Sequence, residues 1–182
     1  MAKRARSGFT IVEMLAVIGV IAVLLSIIVV AAQGSIKSSR SKRGDVMRHA
    51  MEQAVAAYYA QEGKWPSLIE SADTEGTDTV EFRDTQADQI FREVVGKGFG
   101  NGGRKSMLID ASALFVCDAG SANSAKAHGY EFTEVTGSGA KQRIALSQMA
   151  FGFQDPGTGR FRRFYLTYNC RTDAVKVGPE FK

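Results

Sequence analysis

Hydrophobic residues form two different patterns in the first third of the chain. The first pattern is a nearly unbroken apolar run from Phe9 to Ala32. Its few interruptions are Thr10, Glu13, Gly19 and Ser26. A helix of this length rises by roughly 36 Å at about 1.5 Å per residue, which is enough to cross a bilayer core of about 30 Å. The run therefore predicts a membrane-spanning helix over residues 9–33.

The second pattern is an apolar stripe within a more polar segment, residues 34–62. Its members recur at steps of four, three and four: Met47, Met51, Ala54 and Tyr58. This spacing places them on one face of an amphipathic helix that runs to about Gln61 and ends at Gly63. We expect one long helix, whose first half spans a membrane and whose second half packs on a domain formed by residues 63–182.

The predicted domain combines a second helix with an antiparallel sheet. The acidic segment from Ala72 to Asp84 predicts a loop, and Thr85 to Val95 predicts an amphipathic helix that ends at Gly96. Six segments rich in β-branched and aromatic residues predict strands: Met107–Ile109, Ala113–Cys117, Tyr130–Val135, Ile144–Phe153, Phe161–Tyr168 and Ala174–Val177. The clearest hairpin spans residues 151–161, around Pro156. The predicted fold class is α+β, with the long N-terminal helix packed on the sheet.

The chain begins with a basic segment, and positive and negative residues are nearly balanced in the rest. The formal net charge is +4, and Lys3, Arg4 and Arg6 all precede the apolar run. Because the rest of the chain is nearly neutral, its net charge does not indicate a nucleic-acid partner. Basic residues recur at 37–43, where contact with lipid headgroups is expected, and at 160–163, where contact with DNA remains the weaker alternative to a structural role.

The sequence contains fragments of enzyme and metal-site motifs, but they lack the neighbouring elements or the spacing that these sites require. Residues 98–103 fit the string G-x-G-x-x-G, but they follow a helix instead of a strand. His49 and His128 lack partners at metal-ligand spacing, and the acidic residues of the predicted loop lack the spacing of a calcium loop. We therefore expect no enzyme activity, no metal site and no cofactor, with calcium left as the alternative.

The two cysteines, Cys117 and Cys170, lie at the ends of predicted strands. Oxidation is permitted on the far side of a membrane, so a disulfide between them is expected to tie the last strands to the middle of the sheet. Two separate thiols remain the alternative, because a sequence gives no distance between the sulfur atoms.

Glu13 is the residue that the apolar run does not explain. A charge at the centre of a spanning helix costs about 2.5 to 3.5 kcal/mol, and less near an end. If the chain is cut after Gly8, the new ammonium of Phe9 lies four residues from Glu13, on the same helix face. Glu13 would then neutralise an amine that cleavage creates. The alternative is a shallow carboxylate that reaches the membrane interface.

The sequence KRARSGFTIVEMLAVIGVIAVL resembles the class III leader of type IV prepilins and of the pseudopilins of type II secretion. The stretch AAYYAQEGKWPSL resembles the end of the first helix in pseudopilins. The resemblance implies that residues 1–8 are a basic leader, that a prepilin peptidase cuts after Gly8 and methylates Phe9, and that Glu13 pairs with the N-terminal amine of a neighbouring subunit.

By this resemblance the chain is expected to be a structural subunit of a type IV pilus-like or pseudopilus filament. The implied partners are further pilin subunits of the same or other kinds, the prepilin peptidase, an inner-membrane assembly machinery and, before assembly, membrane lipid. The implied location is the bacterial inner membrane with a cytoplasmic N-terminus, followed by a periplasmic or extracellular filament. One departure is the tail, residues 169–182, which offers only Asp173 and Glu180 for the calcium that the major pseudopilin binds.

A different class of protein fits the same apolar run. The chain is then a membrane-anchored binding module outside the cytoplasm, for a glycan or for DNA as in competence pili, and the helix is a permanent tether. A third possibility is an ordinary secretory signal cut after Ala32, although the run is longer than such signals need.

Overall fold

The computed structural model describes residues 10–99, 108–109, 114–124, 126–136 and 143–180. The chain divides into two compact units, an N-terminal unit of residues 1–38 and a domain unit of residues 39–182. The helix α1, Ile11–Glu62, contributes its first part to the N-terminal unit and its second part to the domain unit.

In the N-terminal unit, α1 is apolar on all sides. Large apolar side chains from Ile11 to Ile36 are between 48% and 81% exposed. By length and composition, α1 is able to cross a membrane. A helix that is hydrophobic all round is stable when lipid or other helices cover it. The predicted apolar helix is therefore confirmed.

In the domain unit, the second part of α1 forms one wall of the hydrophobic core. All four residues of the predicted stripe are at most 4% exposed: Met47, Met51, Ala54 and Tyr58. The helix ends at Glu62, and Gly63 adopts a left-handed conformation with φ 70°. The Gly63 N–H donates to the Tyr59 carbonyl at 2.9 Å, which closes the last turn.

Two antiparallel sheets complete the domain unit. The first has the order β1-β6-β7, formed by Thr79–Phe82, Tyr165–Asn169 and Ala174–Gly178. The second has the order β3-β2-β4-β5, formed by Tyr130–Glu131, Phe115–Asp118, Met149–Gln154 and Phe161–Arg163. The strands β4 and β5 form the predicted hairpin. The α+β class and the antiparallel pairing are therefore confirmed.

The helix α3, Asp84–Phe99, packs on strand β4. The five apolar residues predicted for its inner face are at most 2% exposed: Ala87, Ile90, Phe91, Val94 and Val95. The predicted end at Gly96 is wrong, because the helix continues to Phe99. A Cβ on Gly96 would lie 3.3 Å from Leu146 Cδ2, so this glycine serves close packing instead of termination.

Several predicted elements differ in the structure. The expected acidic loop contains β1, whose Phe82 is buried and pairs with Leu166. The predicted strand from Tyr130 continues after two residues as the helix α4, Phe132–Thr136. A short helix, α2, Ser67–Glu70, follows α1. The strand predicted from Ile144 begins only at Met149, after a turn of 3-10 helix at Leu146–Gln148.

The predicted strand Phe161–Tyr168 is divided between the two sheets. The buried Phe164 separates β5 from β6, and its N–H donates to the Phe151 carbonyl at 3.1 Å. Residues 108–109 are not in a strand, and Met107 and Ala113 lie outside the described residues.

The expected disulfide is absent from the structure, in which both cysteines are free thiols. Cys117 is buried in β2, where it pairs with Ala150 of β4. Cys170 follows β6 and is half-buried. Cys117 therefore belongs to the second sheet, whereas Cys170 lies in the turn that follows a strand of the first sheet, which sequence spacing did not indicate. Burial raises the pKa of the Cys117 thiol, as does the neighbouring Asp118.

Candidate functional site

The first turn of α1 holds Glu13 through a reciprocal pair of contacts with Thr10. The Thr10 N–H and hydroxyl donate to Glu13 Oε2 at 2.8 and 2.9 Å. In return, the Glu13 N–H donates to Thr10 Oγ1 at 3.3 Å. This arrangement is a capping box, in which the side chains at the start of a helix satisfy backbone N–H groups that have no partner within the helix. Thr10 is a candidate site residue that sequence analysis did not single out, although the spacing T-x-x-E is the signature of a capping box.

The capping box leaves part of the Glu13 carboxylate available. Oε2 accepts both bonds from Thr10, whereas Oε1 has no hydrogen-bond partner within residues 10–99 or the other described segments. The side chain is exposed and sits at the positive end of the helix dipole, which favours a negative charge. Glu13 can therefore remain ionised in a single subunit and still accept a bond from a cation outside it.

The other predicted site residues at this end lie outside the described residues. They are the basic Lys3, Arg4 and Arg6 and the two residues of the expected cleavage site, Gly8 and Phe9. Cleavage, methylation and pairing of Glu13 with a terminal amine remain predictions.

Polar contacts fix the second part of α1 to the domain. Glu52 Oε1 accepts from the Val177 N–H at 3.0 Å, and Arg48 Nη1 donates to the Val177 carbonyl at 3.4 Å. The Tyr58 hydroxyl donates to Glu93 Oε1 of α3 at 2.7 Å. Burial opposes ionisation of Glu93, but hydrogen bonds from Ser67 and Tyr58 together lower its pKa. These contacts and the buried stripe join α1 to both a sheet and a helix.

Two of the three arginines in the basic cluster at 160–163 form ion pairs within the domain unit. The Arg163 side chain is 7% exposed and lies 3.0 Å from the buried Asp88. Arg162 pairs with Asp155 at 2.8 Å. Only the Arg160 side chain of this cluster lacks a polar partner in the described part of the chain, so the structure gives no support to the DNA-binding alternative.

The histidines occupy ordinary surface positions. His49 Nδ1 lies 3.2 Å from Glu52 Oε2, and His128 packs edge-on against Tyr130. In the segments that the structure describes, no three His, Cys, Asp or Glu residues form a group that could hold a metal ion.

Comparison with known proteins supports the importance of the N-terminal segment. Residues 3–29 match the model of the prokaryotic N-terminal methylation motif. A curated relative, Fimbrial protein EcpC of Eikenella corrodens, is 31% identical over 67 residues, which are 37% of this chain and 44% of that protein. The match thus spans less than half of that relative. No solved structure matches the chain significantly. The chain is therefore similar to these proteins in its N-terminal segment, and its long apolar helix before an α+β domain is consistent with a pilin-like fold.

Proposed function

We propose that the chain is a structural subunit of a type IV pilus-like or pseudopilus filament. The observation that carries the proposal is the capped Glu13 at the start of a wholly apolar, exposed helix, within the matched methylation motif. A protein with such a helix needs lipid or other helices around it. Bundled copies of the helix supply the second environment without exposing apolar surface to water.

The proposed sequence of events begins in the inner membrane. The helix is held in lipid with its N-terminus in the cytoplasm and its domain outside. Prepilin peptidase hydrolyses the peptide bond between Gly8 and Phe9 with water, and a methyl group is then transferred from a sulfonium methyl donor to the new amine, which leaves the donor as a thioether and releases a proton. The methylated ammonium remains a cation, and Oε1 of Glu13 in a neighbouring subunit accepts a bond from it. This contact sets the axial register between helices, as a single buried polar group does in coiled coils.

The domain unit then forms the outside of the filament. Its partners are other pilin subunits and the inner-membrane machinery that extracts each subunit from lipid. Because α1 is bonded to both a sheet and α3, force applied to the helix is transmitted to the whole domain. The role is structural and requires no catalysis.

The direct test is expression of the full chain in a host that carries a pilus assembly machinery, with and without a prepilin peptidase, followed by intact mass measurement and electron microscopy. We expect loss of residues 1–8, one added methyl group and filaments only when the peptidase is present. A chain that keeps Met1 in the presence of active peptidase would favour the permanent tether. The type of filament is tested by its length and by whether secretion of other proteins depends on it.

A further inference from the structure

Two groups of charged side chains without ion-pair partners among the described residues lie near the beginning of the domain unit's part of α1 and after its end. At the beginning, three cations have no ion-pair partner among the described residues: Arg40, Lys42 and Arg160. Arg40 lies against the β4–β5 turn, with Nη1 3.0 Å from the position that a Cβ on Gly159 would occupy. This contact brings Arg40 next to Arg160. We refer to these three residues as the basic end.

The segment after α1, residues 63–78, is acidic on balance, because it contains one cation, Lys64, and four carboxylates, those of Glu70, Asp73, Glu75 and Asp78. Glu70 of α2 and the loop residues Asp73 and Glu75 are exposed or half-exposed, and none has an ion-pair partner in the part of the chain that the structure describes. The Glu75 N–H donates to Asp73 Oδ1 at 3.0 Å, which orders the loop. Asp78, by contrast, is paired with Arg171. We refer to Glu70, Asp73 and Glu75 as the acidic end.

The two ends cannot neutralise each other within one molecule. Arg40 and Glu62 are separated by 22 residues of α1, or roughly 33 Å along the helix axis. Screening in physiological salt limits interactions between exposed charges to about 8 Å. Both sets of charges are therefore available to a partner, and the chain itself carries the complement of each.

We propose that the basic end of one copy binds the acidic end of a second copy, in a head-to-tail contact along the filament. The inference rests on the proposed function and names the surfaces that meet. A head-to-tail contact differs from a two-fold contact because it leaves an unused surface at each end and so continues into an open helical polymer. The complementary charges also steer subunits into this orientation as they approach. An anionic lipid surface would bind the basic end alone and would leave the acidic end without a role.

Charge reversal with rescue tests the contact in the full-length protein. Arg40→Glu with Lys42→Glu reverses the basic end, and Glu70→Lys with Glu75→Lys reverses the acidic end. We expect each pair to lower filament yield by about fivefold, from the loss of two exposed ion pairs and their replacement by repulsion. The variant with all four changes restores complementarity in reverse, and its yield is expected to return to within about twofold of wild type.

The controls distinguish a loss of this contact from the other causes of a lower filament yield, which are a change in net charge, a failure to fold and a failure of the proposed function. Lys126→Glu with Lys176→Glu makes the same charge change as the reversed basic pair at exposed positions elsewhere, and normal yield is expected. Circular dichroism melting identifies any variant that fails to fold. Normal filament yield in either reversed pair would overturn the contact, and so would a four-residue variant whose yield is not restored. In both cases, filaments formed by the wild type would still support the proposed function. Loss in the basic pair alone, without rescue, assigns that end to lipid. Processed wild type that forms no filament removes the proposed function as well.

Discussion

Arg163 Nε lies 3.0 Å from Asp88 Oδ2 in the interior of the domain unit, and this ion pair joins β5 to α3. Asp88 is fully buried, and its Oδ1 accepts from the Phe151 N–H at 2.9 Å. Arg163 also donates to Asn123 Oδ1 and to the Ala119 carbonyl, at 2.6 and 3.0 Å. Burial raises the pKa of Asp88, against the opposing effects of the Phe151 N–H and Arg163. The cation therefore offsets part of the cost of a buried carboxylate.

Replacement of Arg163 by Ala is expected to destabilise the domain by about 3 to 5 kcal/mol, because it leaves the Asp88 charge buried without its partner. Urea unfolding in detergent micelles, followed by circular dichroism, measures the change. The matched control is Arg162→Ala, which removes an ion pair with Asp155 in which the arginine side chain is exposed, and which is expected to cost about 1 kcal/mol or less. Equal effects of the two variants would contradict this account of the core.

Replacement of Gly152 by Ala is expected to disrupt the β4–β5 hairpin. A Cβ at this position would lie 1.9 Å from the Arg162 carbonyl oxygen, a distance that only backbone movement can relieve. We expect loss of soluble folded domain, or a fall in melting temperature much larger than that of the control Gly157→Ala, whose Cβ would meet only Asp155 Oδ1 at 3.4 Å. A Gly152→Ala protein that melts like wild type would show that the strands approach less closely.

Alkaline pH is expected to weaken the domain through Tyr168. The Tyr168 hydroxyl donates to Asp173 Oδ1 at 2.8 Å. This bond, helped by burial, raises the pKa of Tyr168 from 10.0 to about 12. Because the folded pKa is the higher one, the stabilisation is complete below pH 10 and is lost as the pH rises towards about 12.

Thermal melting across that pH range measures the effect as the difference between wild type and Tyr168→Phe. The variant lacks this titrating hydroxyl, so its stability is expected to fall less steeply above pH 10. Other tyrosines titrate in both proteins and cancel in the comparison. Parallel curves for the two proteins would show that the bond to Asp173 does not contribute as described.

The parts of the fold that sequence analysis predicted well depend on local periodicity. The buried stripe of α1 and the inner face of α3 follow the helical spacing of apolar residues. The strand β1 was missed because it is short and two of its four side chains, those of Thr79 and Glu81, are exposed and polar, and only its pairing with β6 makes it a strand. The division of the predicted strand at Phe164 likewise depends on partners far away in the chain.

Sequence analysis likewise predicted only part of the candidate site, because the rest depends on contacts that local patterns do not show. Glu13 stood out because a carboxylate is unusual in an apolar run, whereas Thr10 was only one of the interruptions of that run, and its bonds to Glu13 are visible in the structure alone. Arg163 looked like a surface cation because it follows two other arginines, and its burial depends on Asp88, 75 residues earlier. The free state of Cys117 and Cys170 depends on sheet membership, which sequence spacing does not encode.

Replacement of Glu13 by Val is expected to separate membrane insertion from assembly. Insertion should be unchanged or improved, because the variant helix carries no charge. Filament yield should fall, because the terminal ammonium of the neighbouring subunit has no acceptor. Membrane fractionation and filament shearing measure the two effects. Thr10→Val is the control, because it removes the hydroxyl but leaves the backbone bond to Glu13 and the carboxylate in place. Normal assembly of Glu13→Val would remove the role in register.

The central claim is that Glu13 accepts a bond from the N-terminal amine of an adjacent subunit. A cryo-electron microscopy map of filaments formed by the processed chain tests it most directly. The account predicts Oε1 of Glu13 within about 3 Å of the methylated nitrogen of Phe9 in the next subunit, with Oε2 still bonded to Thr10. A map that places every neighbouring terminal nitrogen beyond hydrogen-bond and water-bridged distance from Glu13 would contradict it.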